Sequence, residues 1–377
     1  MVDRTRLFSA IADEEKQFVA KHPVSFAASK LASKSLIGGV PMPWMKRWPG
    51  AFPISVQSAK GARFIDVDGI EYIDFCLGDT GSMTGHAVTE ITDAIARQLS
   101  RGSTVMLPSE DSTWVGAELT KRFGLAKWQF SVSATDANRF VLRLARHITK
   151  RPKILVHDWC YHGTVDETLV IADDKGQTIS RHGAIGPQVH PSLTTRVVPF
   201  NDLEKLEQQL SFGDVACMLI EPALTNIGIV LPDPGYLAGV RELTRKHGTL
   251  LIIDETHTIC AGPGGATKLW NLEPDMLVIG KTIGGGIPVA AYGLSAELAA
   301  RAELSLDSHD VDVSGLGGTL SGSVLAMAAV KATLTHSLLP SQFEKTISLA
   351  TRWADGVASS IAKHGLDWSV QQLGCRA

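Results

Sequence analysis

The centre of the chain alternates short apolar runs with stretches whose apolar residues recur at helical spacing. The runs are rich in Val, Ile and Leu, which favour β-strands, and they occupy residues 153–156, 196–199, 215–220, 250–253 and 276–279. Between them, Leu203, Leu206 and Leu210 fall on one face of a helix, and residues 236–243 repeat this pattern up to Gly248. Strands that alternate with helices predict a mostly parallel sheet covered by helices on both faces, so we expect an α/β fold.

The segment before this region has a different period. Residues 62–75 alternate apolar and polar side chains around Asp68-Gly69, which predicts a β-hairpin. A chain of 377 residues is also too long for one ordinary core. We therefore expect a large domain over residues 76–320, and a smaller α+β domain built from residues 1–75 and from a shortened C-terminal part, residues 321–377.

The charge balance argues against nucleic-acid and membrane partners. The chain has 36 Lys and Arg against 39 Asp and Glu, which gives a net charge of −3 with no basic cluster. Its five cysteines are odd in number and widely spaced, so we expect neither a disulfide framework nor a zinc site. No run approaches the roughly 18 apolar residues of a membrane span. These features favour a cytoplasmic protein whose partners are small molecules.

Lys281 follows the apolar run 276–279 and precedes three glycines at 284–286. A lysine that leaves a buried strand is costly unless its amine has a chemical task, and burial favours a nucleophilic amine. An ordinary lysine that extends its ammonium to solvent is the alternative. Because glycines allow another molecule to approach the backbone closely, the pattern favours a functional amine.

Asp254 and Glu255 follow the apolar run 250–253. A carboxylate at the end of a buried strand needs a cationic partner or several hydrogen-bond donors. For Glu255 we favour a structural role, as an acid that caps the next helix. For Asp254 we favour a cationic ligand such as a protonated pyridine ring.

Two further clusters follow predicted strands, where open α/β sheets bind ligands. Ser133, Ala134 and Thr135 precede an amphipathic helix, and the free N–H groups of a helix start bind anions, although the serine is equally well explained as a plain N-cap. Tyr161 follows the run 153–156 and could lie against a planar ligand, or could equally be a core tyrosine.

These residues together resemble the class III aminotransferases, and most of all the subgroup that contains glutamate-1-semialdehyde aminomutase. The resemblance runs from about Gly38 to about Leu334. Its most specific element is the GK-x-x-GGG-x-P pattern that begins at Gly280, downstream of a D-E pair. The other matching stretches are DVDGIEYIDF (66–75), Gly85-His86, RLARHITKRPKILVHDWCYHG (143–163), Glu221-Pro222 and GGTLSG (317–322).

The resemblance implies a pyridoxal 5'-phosphate (PLP) enzyme of fold type I, with a mostly parallel seven-stranded sheet in the large domain. It implies that Lys281 holds the cofactor as a Schiff base and moves a proton, that Asp254 pairs with the pyridine nitrogen and that Tyr161 stacks on the ring. Gly318 and Thr319 match a loop that reaches the phosphate of the neighbouring subunit, which implies a homodimer. The other cofactor contacts that it implies are Ser133, Ala134, Thr135, Glu221, Asn226 and Thr256.

Two departures from the family pattern bear on the reaction. The usual D-E-V followed by Gln or Met is here Asp254-Glu255-Thr256-His257. In the aminomutase an arginine binds the substrate carboxylate, whereas Met45 stands at the matching position. We therefore expect a bulkier or less charged amine, with Trp44 and Thr80 as candidate substrate contacts.

We predict an aminotransferase that moves an amino group from an amine or amino acid to a keto acid, aldehyde or ketone by a ping-pong mechanism. An aminomutase of the glutamate-1-semialdehyde type, or a racemase, is the first alternative. A cofactor-binding protein with little turnover is the second. A nucleotide-binding module is disfavoured, because the sequence has neither a P-loop nor a dinucleotide-binding GxGxxG after a strand.

Overall fold

The computed structural model describes residues 3–306 and 315–377, and the chain separates into two compact units. The smaller unit comprises residues 1–79 and 84–88, and the larger comprises residues 80–83 and 89–377. The division predicted at residues 75 and 320 stays a prediction. Within the described residues, no helix combines the length and the apolar character that a membrane crossing needs.

The secondary structure follows the alternation expected from the sequence. The helices are α1 Arg4–Lys21, α2 Pro23–Ala32, α3 Thr89–Leu99, α4 Glu110–Phe123, α5 Ala134–Thr149, α6 Leu203–Leu210, α7 Tyr236–Lys246, α8 Gly265–Leu269, α9 Ala296–Leu306, α10 Val324–His336 and α11 Pro340–Lys363. The strands are β1 Val56–Lys60, β2 Arg63–Asp66, β3 Glu71–Ile73, β4 Lys127–Ser131, β5 Lys153–His157, β6 Val170–Ala172, β7 Thr178–Ser180, β8 Thr195–Val198, β9 Val215–Ile220, β10 Leu250–Asp254, β11 Met276–Ile279 and β12 Ala290–Leu294. Each of the five predicted central strands is present, as β5, β8, β9, β10 and β11.

The smaller unit contains an antiparallel three-stranded sheet in the order β1-β2-β3. Its β2–β3 turn is the predicted hairpin, with Gly69 in the left-handed region at φ 81°. The buried Asp66 closes the turn, since its carboxylate accepts the backbone N–H groups of Asp68 and Ile70 and the hydroxyl of Tyr72. A carboxylate with three donors is compensated for its burial, so this turn is rigid.

The larger unit contains a seven-stranded sheet in the order β4-β12-β11-β10-β9-β5-β8. All neighbours are parallel except β12, which runs antiparallel to both β4 and β11. The carboxyl ends of β4, β5, β9, β10 and β11 therefore meet at one edge of the sheet. This edge is where an open α/β sheet binds its ligand.

Helices cover both faces of this sheet, and its central strands are buried throughout. One apolar cluster joins α5 to the sheet and a second joins α4 and α10 to the opposite face. Helix α5 buries seven residues along one side, because its apolar positions recur at helical spacing. Helix α7 ends at Lys246, and Gly248 takes a left-handed conformation just beyond it, as predicted.

Candidate active site

A cavity of about 450 Å³ lies at the carboxyl edge of the large sheet. It is built from the turns that follow β4, β5, β9, β10 and β11, together with the start of α5. Its lining residues are Gly81, Ser82, Val132, Ser133, Ala134, Thr135, Asn138, Tyr161, His162, Gly163, Glu221, Asp254, Thr256, His257, Lys281, Gly286, Ile287, Pro288 and Val289.

Lys281 lies two residues beyond the end of β11 and is half-buried in this cavity. Its backbone has φ 49°, a left-handed conformation that lysine rarely adopts. Its Nζ lies 2.5 Å from Nε2 of His257. Strained backbone at a reactive side chain is common in active sites, since the surrounding packing holds the side chain where the chemistry requires it.

Asp254 ends β10 on the cavity side and is 4% exposed. One carboxylate oxygen, Oδ2, accepts from Asn138 Nδ2 at 2.9 Å and from His162 Nδ1 at 3.0 Å. The other, Oδ1, accepts the backbone N–H of Thr256 at 3.0 Å. These donors fix the carboxylate in one orientation and leave room for a further cation on the cavity side.

The electrostatics of this cluster favour a charged carboxylate. Burial by itself raises the pKa of Asp254, but the bond from His162 and those from Thr256 and Asn138 lower that pKa to about 2. Burial lowers the pKa of His162, yet the neighbouring Cys160 and Asp254 together raise it well above its ordinary value. The two shifts agree in sense, and a histidine cation beside an aspartate anion is the arrangement that both favour.

The start of α5 forms the opposite wall of the cavity. Ser133 is its N-cap, and its hydroxyl accepts the backbone N–H of Asp136 at 3.2 Å. Thr135 Oγ1 accepts the N–H of Thr164 at 3.1 Å. A Cβ on Gly163 would collide with this same Oγ1, so only glycine allows the two turns to come so close. The free N–H groups and dipole of a helix start then provide a site for an anion such as a phosphate.

Buried polar atoms without a protein partner also line the cavity. Oδ1 of Asn138, Nε2 of His162, Oε1 of Glu221 and Oγ1 of Thr256 are of this kind within the described residues. An unpaired buried polar atom costs about 1–3 kcal/mol, so these atoms favour a polar ligand in the cavity. The residues that are present fit PLP, since Lys281 offers an amine for the aldehyde, Asp254 a buried anion for a pyridinium, and the start of α5 a site for a phosphate.

Glu255 turns away from the cavity and is fully buried. Its carboxylate accepts the hydroxyl of Thr258 at 2.6 Å and the backbone N–H groups of Ala266 and Thr267. Burial raises its pKa above the ordinary range in spite of these partners. The predicted structural role is therefore confirmed, since Glu255 caps the first turn of α8.

Eight of the predicted site residues line the single cavity just described. They are Ser133, Ala134, Thr135, Tyr161, Glu221, Asp254, Thr256 and Lys281. Their individual roles toward a cofactor stay predictions.

The other five predicted residues do not line it. Asn226 donates from Nδ2 to the carbonyl of Trp159 at 3.3 Å, and Thr80 contacts Nδ1 of His257 at 2.8 Å. Gly318 and Thr319 are exposed, and Trp44 is exposed in the smaller unit. Their proposed contacts with cofactor, substrate or a second subunit stay predictions.

The sequence analysis missed the partners that hold Asp254. Asn138 lies one helical turn inside α5, and His162 follows Tyr161 directly. The available signal was a buried face of α5 that carries an amide, because a polar residue at a core position needs a partner. Only the fold brings it to a carboxylate 116 residues away.

Comparison with known proteins places the chain among PLP enzymes. It is 36% identical to glutamate-1-semialdehyde 2,1-aminomutase 2 from Brevibacillus brevis, over 86% of this chain and 75% of that protein. It superposes on a glutamate-1-semialdehyde aminomutase from Pseudomonas aeruginosa PAO1 with a TM-score of 0.97 and 46% identity, over 99% of this chain and 83% of that one. A variant of that protein has been solved in complex with PMP. An omega-transaminase from Sphaerobacter thermophilus is 28% identical with a TM-score of 0.84, over 94% of this chain and 82% of that one.

The family model for class III aminotransferases matches residues 44–351. This range includes every one of the turns that build the cavity. The chain therefore belongs to the class III aminotransferase family, whose cofactor is PLP.

Proposed function

We propose that this enzyme is an aminomutase of the glutamate-1-semialdehyde type, which exchanges an amino group and a carbonyl oxygen between neighbouring carbons of one substrate. The observation that carries the proposal is the likeness to the Pseudomonas aeruginosa aminomutase over 99% of the chain. The Brevibacillus brevis relative, which bears the same activity in its name, adds to this support. Substrate and product of such a reaction contain the same atoms.

In this proposal Lys281 has two tasks. Its amine holds the cofactor covalently in the resting enzyme, and once released it carries a proton from one substrate carbon to another position. Bound PLP supplies an electron sink for the bond that breaks at the substrate carbon. The turn after β11 suits Lys281 to both tasks, because it directs the side chain into the cavity that Asp254 also lines.

Asp254 keeps a positive charge on the ring nitrogen in the same proposal. Its pKa of about 2 means that it is an anion at neutral pH, and the donors Asn138 and His162 prevent it from rotating. The start of α5 would bind the phosphate and so hold the ring in place relative to Lys281 and Asp254. Pro288 and Val289 contribute apolar surface to the cavity, which helps to exclude water.

The decisive experiment supplies glutamate-1-semialdehyde to the purified PLP-loaded protein with no second amine or carbonyl compound. We expect accumulation of 5-amino-4-oxopentanoate, the isomer with the amino group on the neighbouring carbon, detected by mass spectrometry and NMR. Borohydride followed by peptide mapping should locate the cofactor on Lys281. Absence of the isomer from an enzyme that does carry PLP on Lys281 would reject the aminomutase and leave the cofactor role intact.

A transaminase is the second candidate, and the observation that favours it is Met45. The residue stands where the aminomutase pattern has an arginine for the substrate carboxylate, and a thioether cannot bind an anion. A panel of hydrophobic amines and dicarboxylic amino acids, each given alone, separates the candidates. Stable conversion of the cofactor to its amine form with release of a ketone supports transamination, and the donor that reacts fastest identifies the preferred class.

We also propose a homodimer in which Gly318 and Thr319 approach the cofactor site of the second subunit. The support is the match of residues 317–322 to the family loop. Sedimentation equilibrium tests the assembly. Heterodimers that carry Thr319→Ala in one subunit and Lys281→Ala in the other test the shared site. A contact made across the interface places both changes in one site and leaves the other intact, whereas a contact within each subunit impairs both sites.

A further inference from the structure

His257 contacts Lys281, Thr80 and Arg376 at once. Its Nε2 lies 2.5 Å from Nζ of Lys281, while its Nδ1 lies 2.8 Å from Oγ1 of Thr80 and 2.9 Å from a guanidinium nitrogen of Arg376. Arg376 and Lys281 are thus joined through one imidazole ring. The ring itself is half-buried and lines the cavity.

The chemistry of these partners determines which ring nitrogen carries the hydrogen. A guanidinium has N–H donors and no acceptor, so Nδ1 must be the acceptor in its contact with Arg376. A neutral imidazole with a bare Nδ1 carries its hydrogen on Nε2. The Nε2–H then points at Lys281, whose amine can accept that hydrogen only through a lone pair. In this arrangement the lone pair of the Lys281 amine is the acceptor of the Nε2–H group.

Several charged and titratable groups near the ring are engaged by other partners. Asp254 on β10 is engaged by Asn138 and His162, and Glu255 faces the start of α8. Glu221 and Tyr161 line other walls of the cavity. Burial raises the pKa values of the nearby thiols Cys260 and Cys375, so both are neutral. Arg376 contacts Nδ1 through a guanidinium nitrogen.

We infer that Arg376 is a positioning residue that holds His257 in its Nε2–H form, with Thr80 beside it, so that the ring presents a donor to the amine of Lys281 and orients the lone pair of that amine. In the step concerned, the amine lone pair forms an N–H bond with the substrate hydrogen as the C–H bond breaks. Bound PLP would supply the electron sink for the pair that the C–H bond leaves. The inference deepens the proposed function, since it rests on Lys281 as the proton carrier.

The ring also distinguishes this chain from the family pattern, which has Gln or Met at this position. Glutamine could reproduce both contacts, because its amide oxygen accepts from Arg376 while its NH₂ donates to Lys281. Methionine offers no N–H donor. His257→Gln and His257→Met are therefore matched variants of similar size, of which only the first preserves the donor.

The first measurement shows directly which nitrogen of the His257 ring carries the hydrogen. Long-range ¹H–¹⁵N NMR of PLP-loaded protein labelled at histidine, with the His257 signals identified from His257→Met, should show a bare Nδ1 and a protonated Nε2. In Arg376→Ala the signals should move toward the other tautomer, and in Arg376→Lys they should stay near wild type. A protonated Nδ1 in the wild type overturns the inference, whatever the substrate of the enzyme proves to be.

The second measurement reads the proton transfer. The rate at which the holoenzyme exchanges the α-hydrogen of its best donor with D₂O is followed against pH. Without Arg376, the ring can accept a hydrogen bond from the lysine ammonium, so the acid limb of the profile should move to higher pH by about one unit. A purely structural role of Arg376 would lower the rate at every pH and leave the limb in place.

The cycle of variants separates this inference from the proposed function. In a His257→Met background the Arg376→Ala shift should vanish, because the ring that transmits it is gone, and His257→Gln should recover most of the exchange rate that His257→Met loses. An equal shift in both backgrounds overturns the inference. If no donor exchanges its α-hydrogen although the NMR spectrum shows the expected tautomer, the role of Lys281 is overturned instead.

Discussion

Asp254 and Glu255 are adjacent carboxylates at the end of one strand, and they serve opposite purposes. Asp254 faces the cavity, where histidine and amide donors keep its pKa at about 2. Glu255 faces the interior beside α8, where burial raises its pKa although hydroxyl and backbone N–H groups surround it. Successive residues of a strand point to opposite sides, so one step along the chain separates a carboxylate that lines the cavity from one that is buried against α8.

The difference shows that burial alone does not determine whether the pKa of a carboxyl group is raised or lowered. Both side chains are almost inaccessible to solvent, with Asp254 at 4% and Glu255 at 0% exposure. What differs is the charge of the partner, because a protonated His162 stabilises an anion far more than neutral donors do. The proposed site therefore lies where a buried acid has a buried cation.

The largest effect should come from Asp254→Asn. The amide is the same size but carries no charge, so it cannot stabilise a protonated ring nitrogen, and we expect the half-reaction rate to fall by about 10²–10³-fold. Stopped-flow absorbance with the best donor measures this rate. PLP content is measured in parallel, and a variant that binds PLP fully and reacts at the wild-type rate would contradict the assignment.

Glu255→Gln should lower the unfolding free energy and leave the half-reaction rate close to that of the wild type. Loss of one acceptor from the α8 cap leaves buried N–H groups poorly paired, which we expect to cost about 1–3 kcal/mol of unfolding free energy. Urea unfolding of the apoprotein measures it. The matched control is Glu273→Gln, which breaks the exposed ion pair with Arg245 and should cost less than about 1 kcal/mol. A rate loss as large as that of Asp254→Asn would abolish the contrast between the two acids.

The two carboxylates should also give opposite pH dependences of stability. The folded pKa of Asp254 is lowered, so its contribution is present above its unfolded value near 3.8 and is lost as the pH falls toward about 2. The folded pKa of Glu255 is raised, so its contribution is complete below its unfolded value near 4.5 and is lost as the pH rises through the folded value. Unfolding free energies of wild type and both variants, compared from about pH 3 to 7, should therefore diverge with opposite slopes. Parallel slopes would refute the assigned partners.

The smallest effect should come from His162→Gln. The amide can still donate to Asp254 but removes the cation, so we expect PLP affinity to weaken by about tenfold or less. Equilibrium titration of apoprotein with PLP, followed by absorbance, measures the dissociation constant. His162→Ala, which removes the donor too, should weaken binding further, and a wild-type affinity in His162→Gln would show that the charge of His162 contributes nothing.

Much of this architecture could be predicted, because strand and helix periods are local. The five central strands, the hairpin turn at Gly69 and the start of α5 all followed from spacing and turn chemistry. Lys281 and Asp254 were found for the same reason, since each breaks an apolar run at its end.

The partners of those residues could not be predicted. His257 gains its contact with Arg376 across 119 residues, and Asp254 gains Asn138 across 116. Such pairings depend on strand order and helix packing, which no local pattern encodes. The pattern after Asp254 indicated that residue 257 was unusual, and only the fold gave the histidine a hydrogen-bonding role.

The left-handed backbone of Lys281 has a consequence for how this chain could evolve. At φ 49° a lysine costs about 1–2 kcal/mol relative to an unstrained residue, whereas glycine takes this conformation freely. A descendant that no longer needed the amine of Lys281 would gain stability by replacing this residue with glycine. Selection for turnover must therefore act continually against a drift toward a sturdier, inactive protein.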